Sequence, residues 1–162
     1  MKNKKTNVQK RDRRGFTLIE ILLVMGIIAI LAAVVIVAIN PARQFAQARN
    51  SQRTSNVFSI LNAVSQNMSD NQGVFTCVAG AIPATGTVIR SSGGYNAVDC
   101  LSPTYLAVMP FDPSAAGAHF TSITDYNTAY TISLSTSTGR ITVAAPEALS
   151  ASELNKNISA TR

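Results

Sequence analysis

The chain is poor in the residue types that most enzymes use for chemistry. Its 162 residues include no tryptophan, one histidine and two cysteines, and only 14% of them are charged. General acid–base catalysis and zinc binding usually draw on clustered histidine, cysteine or carboxylate side chains. The sequence also lacks the motifs of nucleotide-binding loops, serine hydrolases, zinc proteases and paired-cysteine sites. We therefore expect no catalytic residue, no metal site, no cofactor and no enzymatic activity.

Positive charge is concentrated at the N-terminus. The formal net charge is +6, and residues 1–15 carry all of it, because residues 16–162 contain as many acidic as basic residues. A nucleic-acid-binding domain would instead gather its positive charge on one folded face. The distribution argues against such a domain. DNA is left open as a partner, but no feature of the sequence supports it.

A long apolar run follows the basic stretch. Every residue from Ile21 to Ile39 is apolar, and as a helix this run would span roughly 28 Å, close to the ~30 Å hydrocarbon core of a bilayer. We therefore predict a transmembrane helix. Because lysine and arginine precede it, we expect a single-pass protein of the cytoplasmic membrane, with its N-terminus inside and the chain after Asn40 outside.

A cleaved secretory signal peptide is the rival interpretation, since it also places basic residues before an apolar segment. The run is longer than the usual apolar region of a signal peptide, which is about 7 to 15 residues. No small-residue cleavage pattern follows it, and the nearest candidate, Ala38-Ile39-Asn40, directly precedes Pro41. We therefore favour a helix that is retained.

The junction between the two stretches carries a specific resemblance. A basic leader, Gly15, the segment Phe16-Thr17-Leu18-Ile19-Glu20 and an unbroken apolar helix resemble the N-terminus of type IV prepilins and type II secretion pseudopilins. The resemblance implies that a prepilin peptidase cleaves between Gly15 and Phe16 and methylates the new amino group of Phe16. It also implies three further partners: other pilin or pseudopilin subunits, a membrane assembly machinery, and membrane lipid before assembly.

Glu20 is an acidic residue at the rim of the apolar helix. A carboxylate there costs energy unless it is paired or reaches the interface, up to about 2.5 to 3.5 kcal/mol at a helix centre. After cleavage the Phe16 amine would lie roughly 6 Å earlier along the axis, so a neighbouring helix shifted by one turn could bring its own amine level with Glu20. The resemblance assigns Glu20 this role in assembly. The alternative is that its side chain extends to the membrane surface.

A second, amphipathic helix is expected after the membrane helix. Residues 42–70 contain neither glycine nor proline, and apolar residues recur at three- and four-residue spacing, namely Val57, Ile60, Leu61, Val64 and Met68. This spacing predicts one buried helical face. Pro41 predicts a kink or loosened turn near the membrane surface. Arg49 and Arg53 are one turn apart, and we interpret them as a solvated or interfacial face.

The rest of the chain predicts a small β-rich head. Ala129 to Leu134 and Arg140 to Ala144 flank a Ser/Thr-rich turn that ends in Gly139, which is typical of a hairpin. Thr87 to Ile89 and Tyr105 to Val108 are strands or packed loop, and Pro146 to Leu149 could open a short helix. We expect an α+β, pilin-like fold in which a long N-terminal helix packs on a small antiparallel sheet. The expected boundaries are a cleaved leader at 1–15, a membrane or filament-core helix at 16–40, an amphipathic helix at 41–70, and the head at 71–162.

Cys77 and Cys100 are the two cysteines. The expected topology places both outside the cytoplasm, where disulfides persist, so we favour a bond between them over two free thiols. Such a bond would stabilise the head by roughly 3 kcal/mol in the chain-entropy model. Type IV pilins that carry cysteines mostly pair them near the C-terminus, and the different position here weakens any carry-over of their C-terminal receptor-binding loop.

These features predict a structural subunit of a type IV pilus-like filament, at the cell surface or in the periplasm. One alternative is a major or minor pseudopilin of type II secretion, which shares the leader, the apolar helix and Glu20. The hairpin loop is rich in serine and threonine rather than acidic, which counts against a calcium-binding major pseudopilin. Another alternative is a signal-anchored surface module that binds a ligand.

Overall fold

A computed structural model describes residues 15–162, so most of the expected leader lies outside the described residues. The chain divides into two compact units, one that ends at Asn40 and one that covers Pro41–Arg162. The first unit contains helix α1, Leu18–Ile39, which has 22 residues, and an 18-residue window within it reaches a mean hydropathy of 3.3. By length and composition α1 can cross a membrane, as the sequence predicts.

The helical stretch is interrupted where Pro41 predicts it. Asn40 adopts a left-handed conformation with φ 47° and ψ 78°, and helix α2, Pro41–Asp70, begins at the proline. Proline disfavours the helical conformation of the residue before it but is well tolerated as the first residue of a helix. The sequence thus ends one helix and starts the next.

Helix α2 buries one face, and the predicted apolar stripe lies on it. Val57, Ile60, Leu61 and Val64 are buried, while Met68 is half-buried against the same core. The stripe also contains polar residues, which the apolar spacing did not reveal: Asn50, Arg53 and Asn67.

The second unit contains a five-stranded antiparallel sheet. Its strands are β1 Thr87–Arg90, β2 His119–Ser122, β3 Asp125–Leu134, β4 Ile141–Ala144 and β5 Ser159–Thr161. The strand order is β1-β3-β4-β5, and β2 also pairs with β3. The predicted hairpin is confirmed as β3–β4, with Leu134 opposite Ile141 and Thr131 opposite Ala144.

Short helices and loops complete the head. Helix α3 is Val98–Leu101, the first 3₁₀ helix is Pro146–Leu149 and the second is Ala151–Glu153. Tyr105 and Leu106 form packed loop rather than strand. The core lies where α2 packs on the sheet and includes Ile60, Leu101, Tyr130 and Val143. The fold is α+β, as the sequence predicts.

Candidate functional site

Gly15 and Phe16 lie in a short non-helical segment just before α1. The Phe16 side chain is 81% exposed. Among the described residues, no atom lies within 4 Å of the position that a Cβ on Gly15 would occupy. The described chain therefore gives no packing reason for a glycine at position 15.

Thr17 and Glu20 form a capping box at the start of α1. The Glu20 backbone N–H donates to Thr17 Oγ1 at 3.2 Å, and the Thr17 backbone N–H donates to Glu20 Oε2 at 3.5 Å. These bonds satisfy two donors that a helix N-terminus otherwise leaves without acceptors. The negative charge of Glu20 also interacts favourably with the helix dipole.

This capping role was missed in the sequence, where Thr17 was interpreted as part of the membrane helix. The signal was present, because Thr17-Leu18-Ile19-Glu20 has the serine/threonine-x-x-glutamate spacing of a capping box. Glu20 thus has a hydrogen-bond donor in its own chain. Capping of α1 is therefore a third interpretation of Glu20, beside pairing with a neighbour's amine and extension to the membrane surface.

The surface of α1 has no cover within the described chain. None of its 22 residues is buried, and its large apolar side chains are all exposed. Contiguous apolar patches on soluble monomers rarely exceed a few hundred Å². A surface of this extent requires lipid or other apolar helices around it.

A cluster of charged side chains is buried where α2 meets the head. Arg53 donates through Nε and Nη2 to the two carboxylate oxygens of Asp112, at 2.7 and 3.0 Å, and through Nη1 to Glu153 Oε2 at 2.8 Å. Asn50 Oδ1 and Ser114 Oγ accept its two remaining N–H groups, at 2.9 and 2.7 Å. All five N–H groups of a guanidinium are therefore satisfied.

One further cation and two backbone amides hold the carboxylates from their other sides. Arg49 Nε donates to Glu153 Oε1 at 2.8 Å, and the backbone N–H groups of Ser114 and Ala115 donate to Asp112. Burial alone would raise the pKa of Asp112, but the hydrogen bonds from Arg53 and from these backbone groups hold the pKa below its usual value. The pKa of Glu153 is lowered in the same way, by Arg53 and Arg49 acting against burial.

The interpretation of Arg53 as part of a solvated or interfacial face was wrong. Its side chain has no exposed surface, whereas that of Arg49 is 31% exposed. A usable signal was its position, because Arg53 lies three residues after Asn50 and four before Val57 on the buried stripe of α2. The two arginines and two carboxylates balance in charge, and the buried cluster connects α2 to the loop around Asp112 and to the second 3₁₀ helix.

The two cysteines and the single histidine lie elsewhere in the head. Cys77 and Cys100 are joined by a disulfide, with their Cα atoms 5.2 Å apart. His119 is at the start of β2, exposed, with Nε2 3.1 Å from Asp125 Oδ1. Within residues 15–162, no group of three or more histidine, cysteine, aspartate or glutamate side chains is arranged to hold a metal ion.

Comparison with protein families adds the deciding observation at the N-terminus. Residues 10–36 match the family model described as the prokaryotic N-terminal methylation motif. The chain carries the type IV pilin and pseudopilin signature. The motif spans Gly15, Phe16, Glu20 and most of α1, and proteins with this signature are structural rather than enzymatic. No curated protein and no solved structure matches the chain. The motif supports a type IV pilin-like or pseudopilin protein, and it ends before the head begins.

Proposed function

We propose that this protein is a structural subunit of a type IV pilus-like filament that polymerises through α1. The observation that carries the proposal is the apolar surface of α1, all 22 residues of which lack cover in the described chain. Lipid would cover this surface before assembly, and the α1 helices of other copies would cover it afterwards. Lipid and helices are similarly apolar, so close packing between helices and polar pairing would drive the exchange.

The segment before α1 supports processing at the Gly15–Phe16 bond. It is non-helical and Phe16 is exposed, so a membrane peptidase could reach this bond without unfolding the helix. Since no described atom crowds the Cβ position of Gly15, a requirement for glycine would come from the peptidase. Cleavage would remove the leader and with it the net charge of +6 that the leader contributes to the chain. The new amine of Phe16 would be methylated.

Glu20 supports a defined stagger between neighbouring copies. It is the one charged residue of α1. Within its own chain the carboxylate accepts a long hydrogen bond, 3.5 Å, from the Thr17 backbone N–H. The carboxylate has further acceptor sites, because an ionised carboxylate accepts about four hydrogen bonds. The Phe16 amine of a neighbouring copy would pair with these sites without loss of the cap.

Intact mass of the protein in two fractions tests the proposal. Material sheared from the cell surface and washed membranes are analysed separately. A sheared species that starts at Phe16 and is one methyl group heavier supports the pilus subunit. The same species confined to membranes favours a type II secretion pseudopilin or a minor subunit. A chain that retains Lys2 to Gly15 in both fractions overturns processing, and a signal-anchored surface module takes its place.

A pair of glycine variants isolates the cleavage site. Gly15→Leu should block processing, since the peptidase and not the fold would require glycine there. Gly26→Ala is the matched control, because no described atom lies within 4 Å of its Cβ position either. The control should be processed like the wild type. Normal processing of Gly15→Leu would contradict cleavage at this bond.

A further inference from the structure

A groove near the C-terminal end of α2 combines apolar walls with two cations. It has a volume of about 360 Å³ and lies between α2, the β3–β4 turn and the last described residue. Leu61, Met68 and Ile141 supply apolar surface, and Arg140 and Arg162 also line it. A second cavity of about 260 Å³ shares Met68 and Ile141 and extends the apolar surface. Within residues 15–162 the side chains of both arginines form no salt bridge.

A segment with an acidic residue and an exposed leucine lies at the other end of the head. The first 3₁₀ helix, Pro146–Leu149, presents Leu149 at 54% exposure next to the half-buried Glu147. The second 3₁₀ helix follows directly, and its Glu153 bonds to Asn50 and Arg53 in the first half of α2. The groove lies beside residues 61–69 of α2. Asn50 and Ser65 are roughly 22 Å apart along the helix axis.

The other acidic residues near the surface of the head fit the groove less well. Asp70 accepts a hydrogen bond from the Tyr105 hydroxyl, and Asp125 pairs with His119. Asp99 is in α3. Near the C-terminal end of α2, the Asn67 side chain donates a hydrogen bond to the carbonyl of Cys100 in α3. Asp70 and Asp99 therefore lie at the same end of the head as the groove. Glu147 is the acid at the opposite end, and an exposed leucine stands beside it.

We propose that the groove of one copy receives Glu147 and Leu149 of a second copy. Leu149 would contact the surface formed by Leu61, Met68 and Ile141, and Glu147 would face Arg140 and Arg162. The two surfaces differ and lie at opposite ends of one head, so the contact is heterologous and can repeat from copy to copy as an open filament. The inference rests on the proposed function, since it names a contact between heads in the filament.

Photo-crosslinking from the groove tests this contact in cells that produce the full chain. A photo-reactive amino acid replaces Ser69, which is exposed and lines the groove. Irradiation should yield a dimer in which Ser69 is joined to residues 146–154 of a second copy, as identified by peptide mass spectrometry. Crosslinks to another segment, to another protein or to nothing overturn the contact.

The sheared fraction of the same cells separates this inference from the proposed function. Processed polymer without the expected crosslink overturns the head contact alone. The crosslink without any sheared polymer supports the contact and counts against the pilus. Absence of both overturns both.

Charge reversal gives an independent readout of the same contact. Arg140→Glu should lower the crosslinked dimer at least about tenfold, because like charges placed opposite each other cost several kcal/mol. Adding Glu147→Arg should restore the dimer. The control is Asp125→Arg in the Arg140→Glu background, because Asp125 begins β3 and does not line the groove, so a positive charge there should not restore the dimer. Equal rescue by both arginines would overturn the specific pairing.

Discussion

Ala129 is held in a conformation that costs energy for any residue with a side chain. Its φ is +57°, and it lies where a two-residue step in β1, from Val88 to Arg90, is matched by a four-residue step in β3, from Thr131 back to Asn127. The Ala129 N–H donates to Asn127 Oδ1 at 3.1 Å, so the irregularity is fixed by a side chain of the same strand. Bulges of this kind often use glycine, because the left-handed region costs other residues roughly 1–2 kcal/mol.

We predict that Ala129→Gly raises the free energy of unfolding by up to about 1 kcal/mol, since relief of strain exceeds the added backbone entropy. Thermal unfolding of the full chain in detergent measures the change. Ala144→Gly is the control, because Ala144 is in β4 and is not among the residues with positive φ. The control should lose about 0.5–1 kcal/mol. A similar loss in both variants would argue against strain at Ala129.

Arg53 is the residue on which the buried charges depend. Arg53→Met would leave Asp112 and Glu153 without their shared cation, and breaking a buried pair in this way costs about 3–5 kcal/mol. Arg49→Met is the matched control, since Arg49 is partly exposed and its side chain bonds only to Glu153 within residues 15–162. It should cost less than about 1 kcal/mol. Denaturant unfolding of both variants gives the comparison, and equal losses would refute a special role for Arg53.

Lysine is a further test at the same position. Arg53→Lys keeps the charge but cannot bond to both oxygens of Asp112 while also reaching Glu153, Asn50 and Ser114. We expect its stability to lie between those of the wild type and Arg53→Met.

At the scale of elements, the carboxylates attach two separate segments to α2. The pKa values of Asp112 and Glu153 are both lowered, since Arg53 and its neighbours outweigh the effect of burial. A carboxylate with a lowered pKa in the folded state stabilises the fold above its unfolded pKa, about 4. That stabilisation is lost as the pH falls toward the folded value.

The melting temperature should therefore change little between about pH 7 and pH 5 and fall steeply below about pH 4. Asp112→Asn should be less stable at pH 7 and should show a shallower fall with acid. Glu147→Gln provides the control, because Glu147 forms no salt bridge within the described residues. Its melting curve should follow the wild type at every pH. An unchanged acid response in Asp112→Asn would contradict this assignment.

Local signals decided which elements the sequence could predict. Pro41 marked the boundary between α1 and α2, the apolar spacing marked the buried face of α2, and Gly139 marked the β3–β4 turn. Strand β5 has three residues, Ser159–Thr161, and no periodic pattern. It forms because its backbone pairs with β4, including the Thr142–Thr161 pair. No local pattern could have predicted it.

Long-range contacts account for what was missed in the head. Arg53 and Glu153 are 100 residues apart in sequence, and Arg53 and Asp112 are 59 apart. Each residue alone is an ordinary surface charge by composition. The position of Arg53 on the α2 stripe was a local signal of its burial, but its pairing with Asp112 and Glu153 follows from the packing of three segments, which a single sequence does not reveal.

At the scale of the whole molecule, the two units are stabilised in different ways. The first is an apolar helix with one charged residue and requires an apolar environment. The second has its own core and a charge cluster that is satisfied internally. The methylation motif covers residues 10–36 and lies in the first unit. Processing and polymerisation through α1 are therefore proposed for the N-terminal unit, and the head would add the proposed contact between copies and determine what the filament presents.

Glu20 has two possible roles at the start of α1, as a capping residue and as a charge that pairs with a neighbouring copy. Experiment can separate these two roles. Glu20→Gln keeps a side chain that can complete a capping box but removes the negative charge. Thr17→Ala removes the capping hydroxyl and keeps the charge, at a cost of about 1 kcal/mol to the start of α1.

If Glu20 sets the stagger by pairing with a neighbour's Phe16 amine, Glu20→Gln should be cleaved and methylated like the wild type, and its sheared polymer should fall at least about tenfold. A lost charge-assisted bond of about 1.5–3 kcal/mol corresponds to that factor. Thr17→Ala should assemble close to the wild-type level. Immunoblots of sheared and membrane fractions, with intact mass to confirm processing, measure both variants. The opposite ranking, with Thr17→Ala defective and Glu20→Gln normal, would make Glu20 a capping residue and leave the stagger to the packing of α1 alone.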